Sequence, residues 1–268
     1  MRLNFNREKA QKQYLFEYKE ILDIKSITNS QNIQTFTFNM GSIGDRVAFS
    51  NLNSPQKESG ELEEILETFK VIFDMIILKL DETGKIEKIT NHEDILKKYN
   101  DIRNDKLSNI TDVNRKNFIF EVSKIVNNDG LLTALVRHYS IFPYIFMGLH
   151  NKNYSTNTPQ RMETIIHNIF PMTNIPVVLE IYGREENGMK LLEVVGKERH
   201  DFDRFAYMKK LDKKYPELSK ISRDSFDCKI KGNYIYDSND VLTGFSIVLN
   251  IETKGLVKYQ LGYNLKEN

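Results

Sequence analysis

Three runs of residues, 229–236, 242–252 and 256–265, constrain the fold of this chain more than any other feature. They are separated by Asp237-Ser238-Asn239-Asp240 and Thr253-Lys254-Gly255. Short clusters of Asp, Asn, Ser and Gly supply local side-chain hydrogen bonds and positive φ angles, which is turn chemistry. Within the runs, Tyr234 and Tyr236, and then Phe245, Ile247, Leu249 and Ile251, recur with a period of two. That period places them on one face of a strand. The stretch predicts an antiparallel meander with one covered face.

The same period appears near the start. Tyr14, Phe16 and Tyr18 oppose Leu15, Glu17 and Lys19, and predict a strand over 14–24. Ile33, Thr35, Thr37 and Asn39 oppose Gln34, Phe36, Phe38 and Met40, and predict a second over 33–40. Asn29-Ser30-Gln31-Asn32 predicts the turn between them, and 46–52 a third strand. Asp81-Glu82-Thr83-Gly84 reverses the chain between a β-branched run over 71–80 and a returning strand over 85–90, the clearest hairpin of the first half. Residues 176–182 and 189–195 pair around 183–188.

Helical spacing fills the middle. Leu62, Ile65, Leu66 and Phe69 form one stripe over 61–69. Asn91 is placed to cap a helix, with Glu93 and Asp94 in its first turn and Ile95, Tyr99 and Ile102 facing inward. Thr111 or Asp112 starts another, which offers Val113, Phe118, Val122 and Ile125 to the core. A third spans 131–139, with Leu131, Leu132, Leu135 and Val136 inward. Residues 161–170 read as a short helix ended by Pro171. Residues 201–214 read as an amphipathic one with Asp201 as its N-cap and Phe202, Phe205, Met208 and Leu211 on its buried side.

These elements predict an α+β fold: two antiparallel β-sheet regions, N-terminal and C-terminal, joined by a helical middle segment, or one curved sheet in their place. The corresponding division is 1–91 for the N-terminal strand-rich half, 92–140 for the helices and 141–268 for the C-terminal half, within one domain or several. The order strands, helix, hairpin occurs over 14–90 and again over 176–252, without residue identity that would establish a duplication.

Composition narrows the function. Hydrophobic residues make up 40 % and charged residues 28 %, enough for a core and unlike a disordered chain. Lys and Arg number 38 against 37 Asp and Glu, which argues against a dedicated nucleic-acid binder. One cysteine, Cys228, allows no internal disulfide and fits a reducing compartment. The opening residues are polar and charged where a secretory signal needs about 7–15 apolar ones. No run approaches the roughly 20 apolar residues of a membrane helix. The expectation is a cytoplasmic protein that is not an integral membrane protein. Its richness in Lys, Asn and Ile is compatible with an AT-rich bacterial genome.

Candidate chemistry is sparse. His200, Asp201 and Asp203 are the densest cluster of metal-ligand types, but no second His stands at ligand spacing, and the two aspartates suit a helix start. His138, His150 and His167 are spaced by 12 and 17 residues, which matches no helix-face motif. His92 is part of a helix start. Cys228 lies within a predicted strand, where a packed or half-exposed thiol is the simpler reading. Gly41-Ser42-Ile43-Gly44 lacks the further glycines of a dinucleotide loop, and there is no Gly-x-Ser-x-Gly elbow. Lys209, Lys210, Lys213 and Lys214, with Phe205, Tyr207 and Tyr215, form a basic stretch that reads as a solvated helix face or as a surface for an anionic partner.

The least routine segment is 139–150, which sets Phe142, Tyr144, Phe146 and Met147 around Pro143. These four residues are the expected partner- or ligand-binding site. No catalytic residue, cofactor or metal is expected. The function that fits is a non-enzymatic binding or adaptor protein, a structural or assembly subunit of a larger bacterial complex with other proteins as partners. The alternatives are a carrier of an apolar small molecule or lipid in a sheet-helix pocket, and a metal-dependent hydrolase using His200, Asp201 and Asp203.

Overall fold

The computed structural model describes residues 1–5, 9–25, 27–53, 71–104, 112–138, 141–218, 226–253 and 257–268. The strands are β1 (Arg2–Leu3), β2 (Ala10–Ile24), β3 (Thr28–Ile43), β4 (Arg46–Asn53), β5 (Met75–Leu80), β6 (Ile86–Ile89), β7 (Lys152–Asn153), β8 (Gln160–Ile169), β9 (Thr173–Glu186), β10 (Met189–Glu198), β11 (Phe226–Tyr236), β12 (Leu242–Thr253) and β13 (Val257–Glu267). The helices are α1 (His92–Ile102), α2 (Val113–Val126), α3 (Asp129–His138), α4 (Phe142–Ile145) and α5 (Arg204–Lys214), and a 3₁₀ turn follows at Pro216–Leu218. β1 and β7 form a two-stranded antiparallel sheet. The other strands form an eleven-stranded sheet in the order β6-β5-β4-β3-β2-β13-β12-β11-β10-β9-β8. The fold is α+β, with helices between the two strand-rich parts of the chain.

The chain divides into two units that interleave in sequence. One comprises Met1–Asn4, Leu15–Thr35 and Asn151–Glu267; the other comprises Phe5–Tyr14, Phe36–His150 and Asn268.

In the first unit the meander is as its alternation predicts. Along β11, Phe226, Cys228, Ile230, Tyr234 and Tyr236 are buried, while Asp227, Lys229, Lys231, Asn233 and Ile235 are exposed. Phe245 of β12 lies opposite Tyr234 of β11 and Leu265 of β13. Its ring stacks on Tyr234 at 5.3 Å. Each buried side chain of this size contributes roughly 1.5–3 kcal/mol. The turn after β11 is closed by Asp237, whose Oδ1 accepts hydrogen bonds from the N–H groups of Asn239 and Val241. α5 packs on the meander through Tyr207, whose ring meets Phe226 edge-on at 4.9 Å.

In the second unit a chain of rings forms the core. Tyr14 stacks on Phe38, Phe38 meets Phe49, and Phe49 receives both Phe142 and Phe146 edge-on. The edge strand β6 is held by α3. Thr133 Oγ1 accepts from the Ile89 N–H, and Arg137 donates to the carbonyls of Ile86 and Glu87. Those backbone groups would otherwise face outward as a template for another strand.

The β5–β6 hairpin turns at Asp81–Gly84. Asp81 Oδ1 accepts from the Thr83 N–H, the Thr83 hydroxyl and the Lys85 N–H at 2.7–2.9 Å. Gly84 has φ +85, and a Cβ there would lie 2.4 Å from His150 Nδ1. Burial raises the Asp81 carboxyl pKa, but the hydrogen bonds from Thr83 and Lys85 outweigh it and hold the value below the ordinary one. A depressed folded-state value gives stability that is present above the ordinary carboxylate range and is lost as pH falls through the folded value. Asp81→Asn should therefore flatten the acid limb of the stability profile while keeping the hairpin. Asp81→Ala should cost about 1–2 kcal/mol at neutral pH. Urea unfolding across acid pH checks both.

Several local expectations are corrected. Residues 161–170 are not a helix but lie almost wholly in β8, paired with β9 from Gln160 opposite Ile181 to Ile169 opposite Thr173. Asn29-Ser30-Gln31-Asn32 lies inside β3, and the reversal is earlier, where the Ile27 N–H donates to the Ile24 carbonyl. Val71 and Ile72 are helical, and the strand begins only at Met75. Asn91 stands at the start of α1 without capping it. Its side chain accepts from the Ile77 N–H and donates to the Met75 carbonyl, completing the backbone pairing of β5. Asp203, not Asp201, caps α5 by accepting from the Ala206 N–H. The predicted helix over 61–69, and Thr111, lie outside the described residues.

Candidate functional site

The segment expected to bind a partner is built around α4. Pro143 sits in its first turn, where a missing N–H costs nothing. Tyr144 and Phe146 are buried, and Phe146 lies 5.7 Å from the Phe49 ring. Phe142 and Met147 are partly exposed. Half of the segment thus anchors the second unit and half reaches its surface. Tyr139 and Ser140 lie outside the described residues.

Further exposed apolar side chains lie on α2 and α3, where Val113, Phe118, Leu131 and Leu135, expected in the core, are exposed and are joined by Phe120. Val113 is 67 % exposed and Phe120 59 %, with Phe118 also exposed. Val113 and Phe120 are seven residues apart, two helical turns, and so share a face. The Lys124 ammonium lies 4.3 Å from the Phe120 centroid, as a cation over a ring. On α3, Leu132 and Val136 are buried, whereas Leu131 and Leu135 are exposed.

The potential catalytic groups are engaged structurally. Cys228 is fully buried, and burial, with Glu198 and Asp227 nearby, pushes its thiol up to about 12, far from thiolate chemistry at neutral pH. Asp201 makes a two-pronged pair with Arg199, both hydrogen bonds at 2.6 Å, and Arg199 also reaches Glu163. The guanidinium holds the Asp201 carboxyl below its ordinary range. Asp203 Oδ1 serves as the cap, so both aspartates beside His200 have structural partners. Among the described residues, no three His, Cys, Asp or Glu side chains are grouped to hold a metal. His138 and His150 belong to one unit and His167 to the other. Burial and the neighbouring Arg137 lower the His138 value. His92 Nε2 donates to the Val126 carbonyl, tying α1 to the end of α2.

One cluster in the first unit was not singled out from the sequence. Glu20 of β2 accepts hydrogen bonds from the hydroxyls of Tyr18 and Tyr259, each at 2.9 Å. Tyr263 packs against Tyr18 and Phe16, and Phe170 stacks on Tyr259. Burial and the Glu20 carboxylate both raise the two phenols, so they stay protonated donors. The residues come from sequence positions 239 apart, and only their alternation hinted at one face.

No family model and no curated protein matches the chain. Among solved structures, it is similar to one described as lipid-protein interactions in lipovitellin, with a TM-score of 0.47 and 9 % identity. The match covers 98 % of this chain and 25 % of that one, so this chain spans a quarter of the length of the lipovitellin chain. A likeness of that size carries no functional argument. Among the described residues, no helix is long and apolar enough to cross a membrane.

Proposed function

We propose that the chain is a non-enzymatic binding protein, an adaptor or assembly subunit, that docks another polypeptide through the exposed apolar face of α2 and α3. The observation that supports this reading is the outward placement of Val113 and Phe120 on one face of α2 and of Leu131 and Leu135 on one face of α3. Exposed apolar side chains scattered singly are ordinary, but a group of this size on neighbouring turns is a feature of protein-docking surfaces. Phe142 and Met147 extend the reading to α4, with Tyr144 and Phe146 fixing the segment from within. The buried, unpaired thiol of Cys228 fits a reducing, cytoplasmic compartment.

The test is size-exclusion of native lysate followed by mass spectrometry. The wild-type chain should elute in a complex with a stoichiometric polypeptide partner. Val113→Asp combined with Phe120→Asp should release it as a folded monomer, checked by circular dichroism. A wild-type chain that elutes only as a free monomer sinks the reading. A stoichiometric bound apolar molecule in place of a polypeptide would favour a carrier.

A further inference from the structure

The first unit carries a second surface, on α5 and the β8–β9 turn. Tyr207, Met208 and Leu211 face the core. The opposite face presents Phe205, Lys209 and Lys213 in a row four residues apart, with Ala206 and Lys210 alongside, all exposed. Among the described residues of α5, none of the exposed ones on that face is acidic. Asp212, at the margin of the face, is half-buried with its Oδ1 out of water, Asp203 is used as the N-cap, and Glu217 lies beyond the end of the helix. At the C-terminal end, the Lys214 ammonium rests 4.7 Å from the centre of the Phe170 ring.

Beside this face stands Met172, 78 % exposed, at the tip of the turn between β8 and β9, where its φ of 61° projects it from the hairpin. Lys210 Nζ donates to the Met172 carbonyl at 3.0 Å, so the apolar tip and the basic face are physically joined. An unbranched thioether held in water amid ammonium groups gains most where an apolar layer lies under an anionic one. There the methionine enters the acyl boundary and the lysine stems lie flat with their charges among the headgroups. A nucleic acid or an acidic polypeptide would answer the charge but leave the apolar tip without a role.

We infer that α5 and Met172 form a peripheral docking site for an anionic lipid bilayer surface. Few side chains take part, so binding is reversible, rests on electrostatics and weakens with salt. The site lies in a different unit from the α2–α3 face and does not depend on the adaptor reading.

Co-sedimentation of the full chain with phosphatidylserine-containing vesicles, with pure phosphatidylcholine vesicles as the contrast, tests the site. The wild type should bind the anionic vesicles only, and binding should fall as ionic strength rises to about 0.15 M. Lys209→Ala with Lys213→Ala should weaken binding about 25-fold, at about fivefold per lysine. Met172→Asn, a neutral change that tolerates the positive φ, should weaken binding to vesicles while leaving retention on soluble polyglutamate unchanged. All are exposed positions, and circular dichroism confirms folding. Failure of the wild type to bind, equal binding to both vesicle types, or lysine variants that bind like the wild type would each overturn the inference. So would a Met172→Asn variant that binds vesicles undiminished, which would mark the face as a general polyanion surface.

Discussion

Asp240→Asn is expected to destabilise the protein by about 3 kcal/mol, a large effect for a residue at the edge of a turn. Asp240 and Lys190 form an ion pair whose side chains are only 9 % and 12 % exposed. Asn4 donates to the second carboxylate oxygen. Removing the charge from Asp240 leaves the Lys190 ammonium shielded from water without a counter-ion, and that desolvation is the main cost. Asparagine is the right probe because Asp240 has φ 63, a left-handed conformation that Asn tolerates and Ala does not. Lys190→Met should lose a similar amount. The double variant Lys190→Met with Asp240→Asn should recover most of the loss, because neither charge is then stranded. Urea unfolding of the four proteins closes the cycle. Additive losses in the double variant would show that the pair is not coupled.

Gly232→Val is expected to cost about 3 kcal/mol or to prevent folding. Gly232 lies mid-strand in β11, between Val194 of β10 and Ile247 of β12. A Cβ there would stand 2.7 Å from Ile247 Cγ1 and 2.8 Å from the Ser246 carbonyl oxygen. Ile247 Cγ1 could move only by a change of χ1, and the carbonyl and the Ile247 Cα at 3.3 Å belong to the neighbouring strand and can move only if the ladder opens. Gly232→Ala places the same Cβ and should retain much of the loss, which separates close approach from side-chain bulk. Gly188→Ala is the control for crowding: it has φ +74 but nothing within 4 Å, so only backbone strain acts there. Thermal unfolding should rank Gly232→Val as least stable. A Gly232→Ala protein with wild-type stability would rule out the close-approach argument.

The sequence was most legible where burial follows one simple period. β11 and β12 bury alternate residues over long stretches, so the meander could be read directly. β8 could not, because Met162, Ile166 and Ile169 are buried at spacings of four and three, which also describe a helix. The strand has a register irregularity between Ile166 and Ile169, and Asn168 has φ 55, which shifts the inward set by one residue. In α3, the pairs Leu131/Leu135 and Leu132/Val136 are both four apart, and periodicity cannot say which pair faces in. The answer depends on Thr133 and Arg137 meeting β6, a tertiary fact. Asn91 looked like a cap because its type and position fit one, but two backbone groups of β5 compete for the same amide. On α2, apolar character alone predicts burial for Val113 and Phe118, and both are exposed.

The strand order has a consequence for synthesis. β2 lies beside β13 in the sheet, although Glu20 and the Tyr259 that bonds to it are 239 residues apart. On the ribosome, β2 is complete long before its neighbour exists. Its tyrosines and unpaired backbone then wait while the intervening chain emerges at roughly 5–20 residues per second. For many seconds the nascent chain presents an open sheet margin, and pairing so distant in sequence is intrinsically slow. The protein should therefore depend on chaperone protection during translation more than its balanced composition suggests.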